Sequence, residues 1–168
     1  PRASNGIKFD DHDRTKKGDI ALEYQGQLFT FEVKSLQTNS LKVDSAIERM
    51  TARFQCDASD KRTVHFPDGS SLETTCLLVG EFDILAVNLF AFYGDWVFAF
   101  ARNEDLPRVN GARGAAKNYT QLQRNHLLAT LMPMSDPPPA PYRMEPWSLM
   151  DEIARERATT GEPEVRVL

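Results

Sequence analysis

The stretch Phe29-Thr30-Phe31-Glu32-Val33-Lys34 alternates apolar and polar residues without a break. An extended strand sends successive side chains to opposite faces, so the pattern fits a half-buried strand rather than a helix. Phe29, Phe31 and Val33 share the face that must meet the core, while Thr30, Glu32 and Lys34 share the other. The preceding segment, Gly18 to Tyr24, alternates too: Ile20, Leu22 and Tyr24 oppose Asp19, Ala21 and Glu23. Gln25-Gly26-Gln27 supplies a turn in which Gly takes positive φ. The two segments make an antiparallel hairpin. Asp19 and Glu32, thirteen positions apart, then lie at the same end of the sheet.

Short apolar runs and turn signals divide the rest of the chain. Residues 1–18 are polar, carry no period and read as loop or as the remnant of an earlier element. Thr38 to Ser40 is polar, with Ser40 a candidate cap. Leu41, Ile47, Met50 and Phe54 are spaced loosely as on a helix, which predicts one near 43–55. Residues 56–80 read as a small hairpin around Pro67-Asp68-Gly69. Phe82 to Phe92 is the most apolar stretch and reads as a buried central strand. Tyr93-Gly94-Asp95 turns the chain, and Trp96 to Ala101 returns as its partner. Asn103 to Ala116 reads as an exposed loop and Tyr119 to Leu131 as a helix. Pro133 to Pro141 holds five prolines and reads as a rigid connector, excluded from helix and interior strand. Trp147 to Arg157 is a last helix. Together these elements predict an α/β domain: a central mixed sheet of about five strands flanked by helices. Residues 1–132 form the expected core. Residues 133–168 form a connector, a C-terminal helix and a tail, within that domain or leading to another.

With 168 residues and 41% hydrophobic content, the chain can bury a core as one domain. No apolar run approaches the roughly 20 residues that cross a bilayer, so no membrane span is expected. Cys56 and Cys76 are too few for a disulfide framework and read as buried hydrophobes in a reducing compartment. The expected location is cytoplasmic, of prokaryotic type. The opening Pro-Arg-Ala-Ser-Asn-Gly has no initiator Met and no apolar signal core, and reads as a processed start or as the start of an excised domain.

The polar face of the hairpin carries the chemistry. Two carboxylates can hold a hard divalent ion through oxygen. Asp19 and Glu32 are the candidate ligands, with the carbonyl of Val33 a natural third. A neighbouring lysine, Lys34, can stabilise developing charge or position water, and the pattern leaves open whether it acts as base or as cation. A net charge of −4 counts against nucleic-acid binding by charge alone. A bound Mg²⁺, however, restores positive charge where a phosphate would sit. Local cations also exist at Arg14, Lys16 and Lys17, and at Arg108 and Arg113.

Gly18-Asp19-Ile20, a hairpin turn and Phe31-Glu32-Val33-Lys34 together resemble the active-site hairpin of the PD-(D/E)xK nuclease superfamily, the restriction endonuclease-like group. Gly18 stands where that motif often has proline. The resemblance implies Asp19 and Glu32 as metal ligands and Lys34 as catalytic lysine. It also implies Mg²⁺ as cofactor, with Mn²⁺ able to substitute, DNA as partner, and a homodimer. It covers about 17 residues directly. The apolar strand at 82–90 with its returning partner is similar in layout to restriction-type members. A further acidic residue upstream has no clear counterpart, since Asp10, Asp11 and Asp13 lie in an irregular stretch.

Lys17, Gln55, Arg108 and Arg113 are candidate DNA contacts, with Lys42, Arg49, Arg53 and Arg102 as further cations near them. Gln55 is expected at the end of the helix over 43–55. His12, His65 and His126 lack zinc-ligand spacing with either cysteine, and no motif supports a Cys/His nucleophile. Trp96 and Trp147 are expected to pack. The expected function is metal-dependent hydrolysis of DNA phosphodiesters, of restriction or defence type. The alternative is a nuclease fold that binds nucleic acid or a protein partner without cutting.

Overall fold

A computed structural model describes residues 5–8, 18–110 and 114–160, with backbone alone at 5–8, 114 and 115. The first strand, β1 (Asn5–Lys8), lies inside the stretch read as loop or as the remnant of an earlier element, and it adds an edge to the sheet by pairing antiparallel with β2 (Ile20–Tyr24). β2 turns into β3 (Gln27–Ser35) through Gln25 at φ 51° and Gly26 at φ 76°. Two successive positive φ values define the tight hairpin turn whose twist matches the strands. The ladder runs from Tyr24–Gln27 to Ile20–Phe31, so the turn sits where the sequence placed it.

The segment after β3 departs from the expectation. The predicted helix over 43–55 is a second hairpin, β4 (Lys42–Asp44) and β5 (Arg49–Gln55), entered through a single 3₁₀ turn at Thr38–Ser40. Burial shows why. Ala52, Phe54 and then Cys56 are buried at every second position, with partly buried Met50 ahead of them. That period of two belongs to a strand. The looser Leu41, Ile47, Met50 and Phe54 spacing imitated a helix. Ser40 ties the entrance down by accepting the Arg53 N–H at 2.8 Å.

The small hairpin over 56–80 is present as β6 (Asp57–His65) and β7 (Ser71–Cys76), turning at Pro67-Asp68-Gly69. β8 (Ile84–Asn88) is buried at all five positions, as its apolar run required. The end of that run departs from the expected strand: Phe90 to Phe92 join Tyr93 in one helical turn, α1 (Phe90–Tyr93), closed by Gly94 in the left-handed conformation. β9 (Phe98–Arg102) returns antiparallel to β8.

Only part of the helix expected over 119–131 forms: α2 (Gln121–His126), opened by a capping box between Thr120 and Gln123. Leu127 and Leu128 then run extended. β10 (Leu131–Asp136) begins before the expected connector and includes Pro133. Proline is tolerated there because β10 is an edge strand. The last helix, α3 (Trp147–Thr160), starts after Pro146, where the Glu145 carboxylate accepts the Trp147 N–H at 2.9 Å.

The described residues form a mixed α/β fold of three sheets. The main sheet has the order β1-β2-β3-β8-β9, antiparallel except where β3 and β8 run parallel. Its Phe29–Phe31–Val33 face packs on α3 through Leu149, Met150 and Ile153. The opposite face, carrying Leu85 and Val87, meets Ala52, Phe54, Met132 and Met134 of the β10-β5-β4 sheet. The expected flanking by helices therefore holds on one face, and strands cover the other. Trp147 is partly buried beside Tyr24, ring centroids 5.7 Å apart. Trp96, expected to pack, is 74% exposed, and its ring meets its aromatic neighbours Phe90 and Phe98, 6.3 Å and 6.4 Å away between centroids. Both cysteines are buried and free. No helix among the described residues is long and apolar enough to cross a membrane.

Candidate active site

Gly18 opens the site. Its φ is +79°, and a Cβ there would lie 2.8 Å from the Phe31 carbonyl oxygen. Only a residue without a side chain brings the two backbones this close. Gly18→Ala is expected to cost about 1–3 kcal/mol and to lower the thermal unfolding midpoint by several degrees, read by circular dichroism. Gly26→Ala, where a new Cβ meets only open space, serves as a control for turn conformation alone.

The close approach holds Asp19 against β3. Its N–H donates to the Phe31 carbonyl at 2.7 Å, and its Oδ2 accepts the Val33 N–H at 2.7 Å. The N–H and carbonyl of a strand residue leave on the same edge. The Val33 carbonyl therefore leaves β3 on the edge where the Asp19 carboxylate lies.

Glu32 and Lys34 follow on the face away from α3. Glu32 is buried at 8% exposure, and its Oε1 lies 2.7 Å from the Lys34 ammonium. Lys34 also donates to the Asp57 carbonyl at 3.0 Å, at the start of β6. The β6-β7 arm thus pins the lysine from outside the main sheet. Burial pushes the Glu32 carboxyl up, and neighbouring Asp19 and Glu81 add to that, although Lys34 pulls it down. Burial alone would lower Lys34. The Glu32 carboxylate, its hydrogen bond and Asp19 outweigh this, and the net direction is upward. Lys34 is therefore a cation at neutral pH.

The donor set is all oxygen: two carboxylates and a carbonyl. No group of three or more His, Cys, Asp or Glu able to hold a metal occurs among the described residues. With two carboxylates, an ion here would keep several of its waters, which is the habit of Mg²⁺. In chemical type these oxygens are what a hard ion such as Mg²⁺ takes, and they do not suit a thiolate-seeking metal. Burial, assisted by the Glu32 carboxylate, pushes the Cys56 thiol up to about 12. It stays neutral and is no nucleophile.

The candidate DNA contacts are dispersed. Gln55 is exposed at the end of β5 rather than on a helix, and its side chain accepts from Gln37 at 3.1 Å. Arg108 folds back onto the carbonyls of Glu104 and Leu106. Arg102 is paired with Glu156, and Arg49 donates to Ser135 at 3.1 Å. Lys42 and Arg53 are exposed. Lys17, Arg113, Asp10, Asp11 and Asp13 lie outside the described residues.

Two charged residues near the site escaped the sequence reading: Arg62 and Glu81, joined by a fork of two hydrogen bonds. Only the three-dimensional path brings them together, nineteen positions apart. The run Asp60-Lys61-Arg62 gave no period to single either of them out. No family model, no curated protein and no solved structure matches this chain.

Proposed function

We propose that this chain is a Mg²⁺-dependent nuclease of restriction endonuclease-like fold that hydrolyses DNA phosphodiesters. The observation that carries the reading is the clustering of Asp19, Glu32 and Lys34 at the end of one hairpin, with the lysine held as a cation against a buried carboxylate. The hairpin's place in a mixed sheet, beside a parallel central strand, supports the fold assignment.

Asp19, Glu32 and the Val33 carbonyl would hold the ion. When bound, it polarises a phosphoryl oxygen and lowers the pKa of its own water. Lys34 contributes fixed positive charge beside the phosphate. Its two hydrogen bonds, to Glu32 and Asp57, keep it there without reorganisation. Burial of Glu32 limits water around the scissile group.

Plasmid DNA incubated with the chain and Mg²⁺ should be nicked or cut, with Mn²⁺ able to replace Mg²⁺. EDTA, Glu32→Ala and Lys34→Ala should each stop it. Cutting that survives both substitutions would remove the proposed site. The small number of carboxylates favours a second reading, a nuclease fold that binds without cleaving. Titration calorimetry separates the two, since a binding module takes up no Mn²⁺.

Metal binding should also fall on acidification. The ion needs Glu32 ionised, and the Glu32 carboxyl titrates above the ordinary glutamate range. Mn²⁺ affinity is therefore expected to drop as pH falls through that raised value, by about tenfold for each further unit. Calorimetry across a pH series checks this. In Glu32→Gln, affinity should be weak and should lack that step.

A further inference from the structure

We propose that Arg62 is a phosphate-contacting residue of the same site, held there by Glu81; the inference rests on the nuclease reading. The β6-β7 ladder pairs Asp57 with Cys76 and resumes at Arg62–Thr74. Five steps on β6 thus face two on β7, and the surplus residues form a bulge. One end of the bulge is Asp57, whose carbonyl receives the Lys34 ammonium. The other end is Arg62. Bulges re-aim side chains out of the ladder, and this one carries the Lys34 contact at one end and Arg62 at the other.

The guanidinium is anchored but not used up. It forks onto both oxygens of Glu81 and donates to the Cys76 carbonyl at 3.3 Å. That occupies three of the five N–H groups an arginine carries. Its Nε is buried and without a partner among the described residues, whereas the side chain as a whole is 36% exposed, so the face open to an anion is the outer edge of the guanidinium. Glu81 is itself fixed, 9% exposed and accepting the Leu78 N–H at 2.8 Å. An arginine ordered this way loses little freedom on meeting an anion.

Electrostatics joins the pair to the centre. The Glu32 carboxylate acts on Arg62, and Glu81 acts on Glu32. Asp19, Glu32 and Glu81 set against Lys34 and Arg62 leave one negative charge. A divalent ion would turn this to one positive charge, the complement of a single phosphodiester. Without Arg62 the loaded site would be neutral and would have no net attraction for that group.

The test measures binding rather than turnover. A short fluorescent DNA duplex is titrated with the protein in Ca²⁺, over a series of salt concentrations. Arg62→Gln should weaken binding about tenfold and reduce the slope of log affinity against log salt by about 1. Arg62→Lys, which keeps the charge, should retain the slope. An Arg62→Gln protein that unfolds at the wild-type temperature and binds with wild-type affinity and slope would overturn the inference. If that variant fails to fold, Arg62→Gln with Glu81→Gln leaves two neutral amides in contact and carries the same measurement. Wild-type cutting that depends on Lys34, together with unchanged binding by Arg62→Gln, overturns this inference alone. A wild-type chain that neither cuts nor binds DNA overturns it together with the nuclease reading. Binding without cutting, with the smaller slope in Arg62→Gln, supports the Arg62 contact and removes only the hydrolysis.

Discussion

Replacing Lys34 by methionine is expected to lower Mg²⁺-dependent DNA cleavage by about 10²–10³-fold, the usual effect of losing one preorganised electrostatic contact to the transition state. Methionine preserves the length of the side chain, so the Asp57 end of β6 keeps an apolar neighbour. The charge disappears from beside Glu32. The ammonium pulls the Glu32 carboxyl down against burial. Without it, Glu32 titrates higher still, and Mn²⁺ affinity in Lys34→Met should fall away at a higher pH than in the wild type. Single-turnover cleavage and calorimetry read the two effects separately. A variant that cuts at the wild-type rate would leave Lys34 with no role in the chemistry. Arginine at the same position is not equivalent, because its planar fork cannot take up the compact geometry of an ammonium 2.7 Å from one carboxylate oxygen and 3.0 Å from a carbonyl.

Phe29→Ala is expected to destabilise the fold by about 3–5 kcal/mol, the cost of truncating a fully buried aromatic. Phe29 has no exposed surface and lies in the cluster between β3 and α3, among Ile84, Leu149 and Met150. Its ring stands edge-on to Tyr24, centroids 6.3 Å apart, and the Arg157 guanidinium sits 5.0 Å above it. Arg157 also binds the Leu28 carbonyl and pairs with Asp83, whose other oxygen accepts the Thr30 N–H at 2.8 Å. Removing the ring opens a cavity and loosens the tie between α3 and the starts of β3 and β8. Against a typical total stability of about 5–15 kcal/mol, a loss of this size removes a large share of the whole. Urea denaturation measures it. A change below about 1 kcal/mol would mean that the α3 face does not carry the core assigned to it.

The hairpin was legible because its information is local. Alternation over Phe29–Lys34 and the Gln25-Gly26 turn fixed which face is apolar and where the chain reverses, and the ladder keeps that register. The apolar run Ile84 to Val87 was readable for the same reason, since a strand covered on both faces needs no polar side. The Arg49–Gln55 segment failed because its helical spacing competed with an alternation of two, and only burial against Leu85 and Val87 decides between them. Met134 is a core residue for the same reason, although the prolines around it suggested a connector.

By itself, the sequence determined the hairpin, the residue types at its polar end and the apolar faces that must be covered. Strand periodicity and turn chemistry act over a few residues and need no partner. Tertiary structure decided what covers those faces: α3 on one side and a second sheet on the other. It also decided the state of the site. Burial of Glu32, the Asp57 carbonyl on Lys34 and the Arg62–Glu81 pair all come from chain segments far along the sequence. A carboxylate and a lysine two positions apart are an ordinary solvated pair in water. Enclosure by the β6-β7 arm, which removes solvent and fixes the partners, gives them perturbed protonation and a fixed orientation.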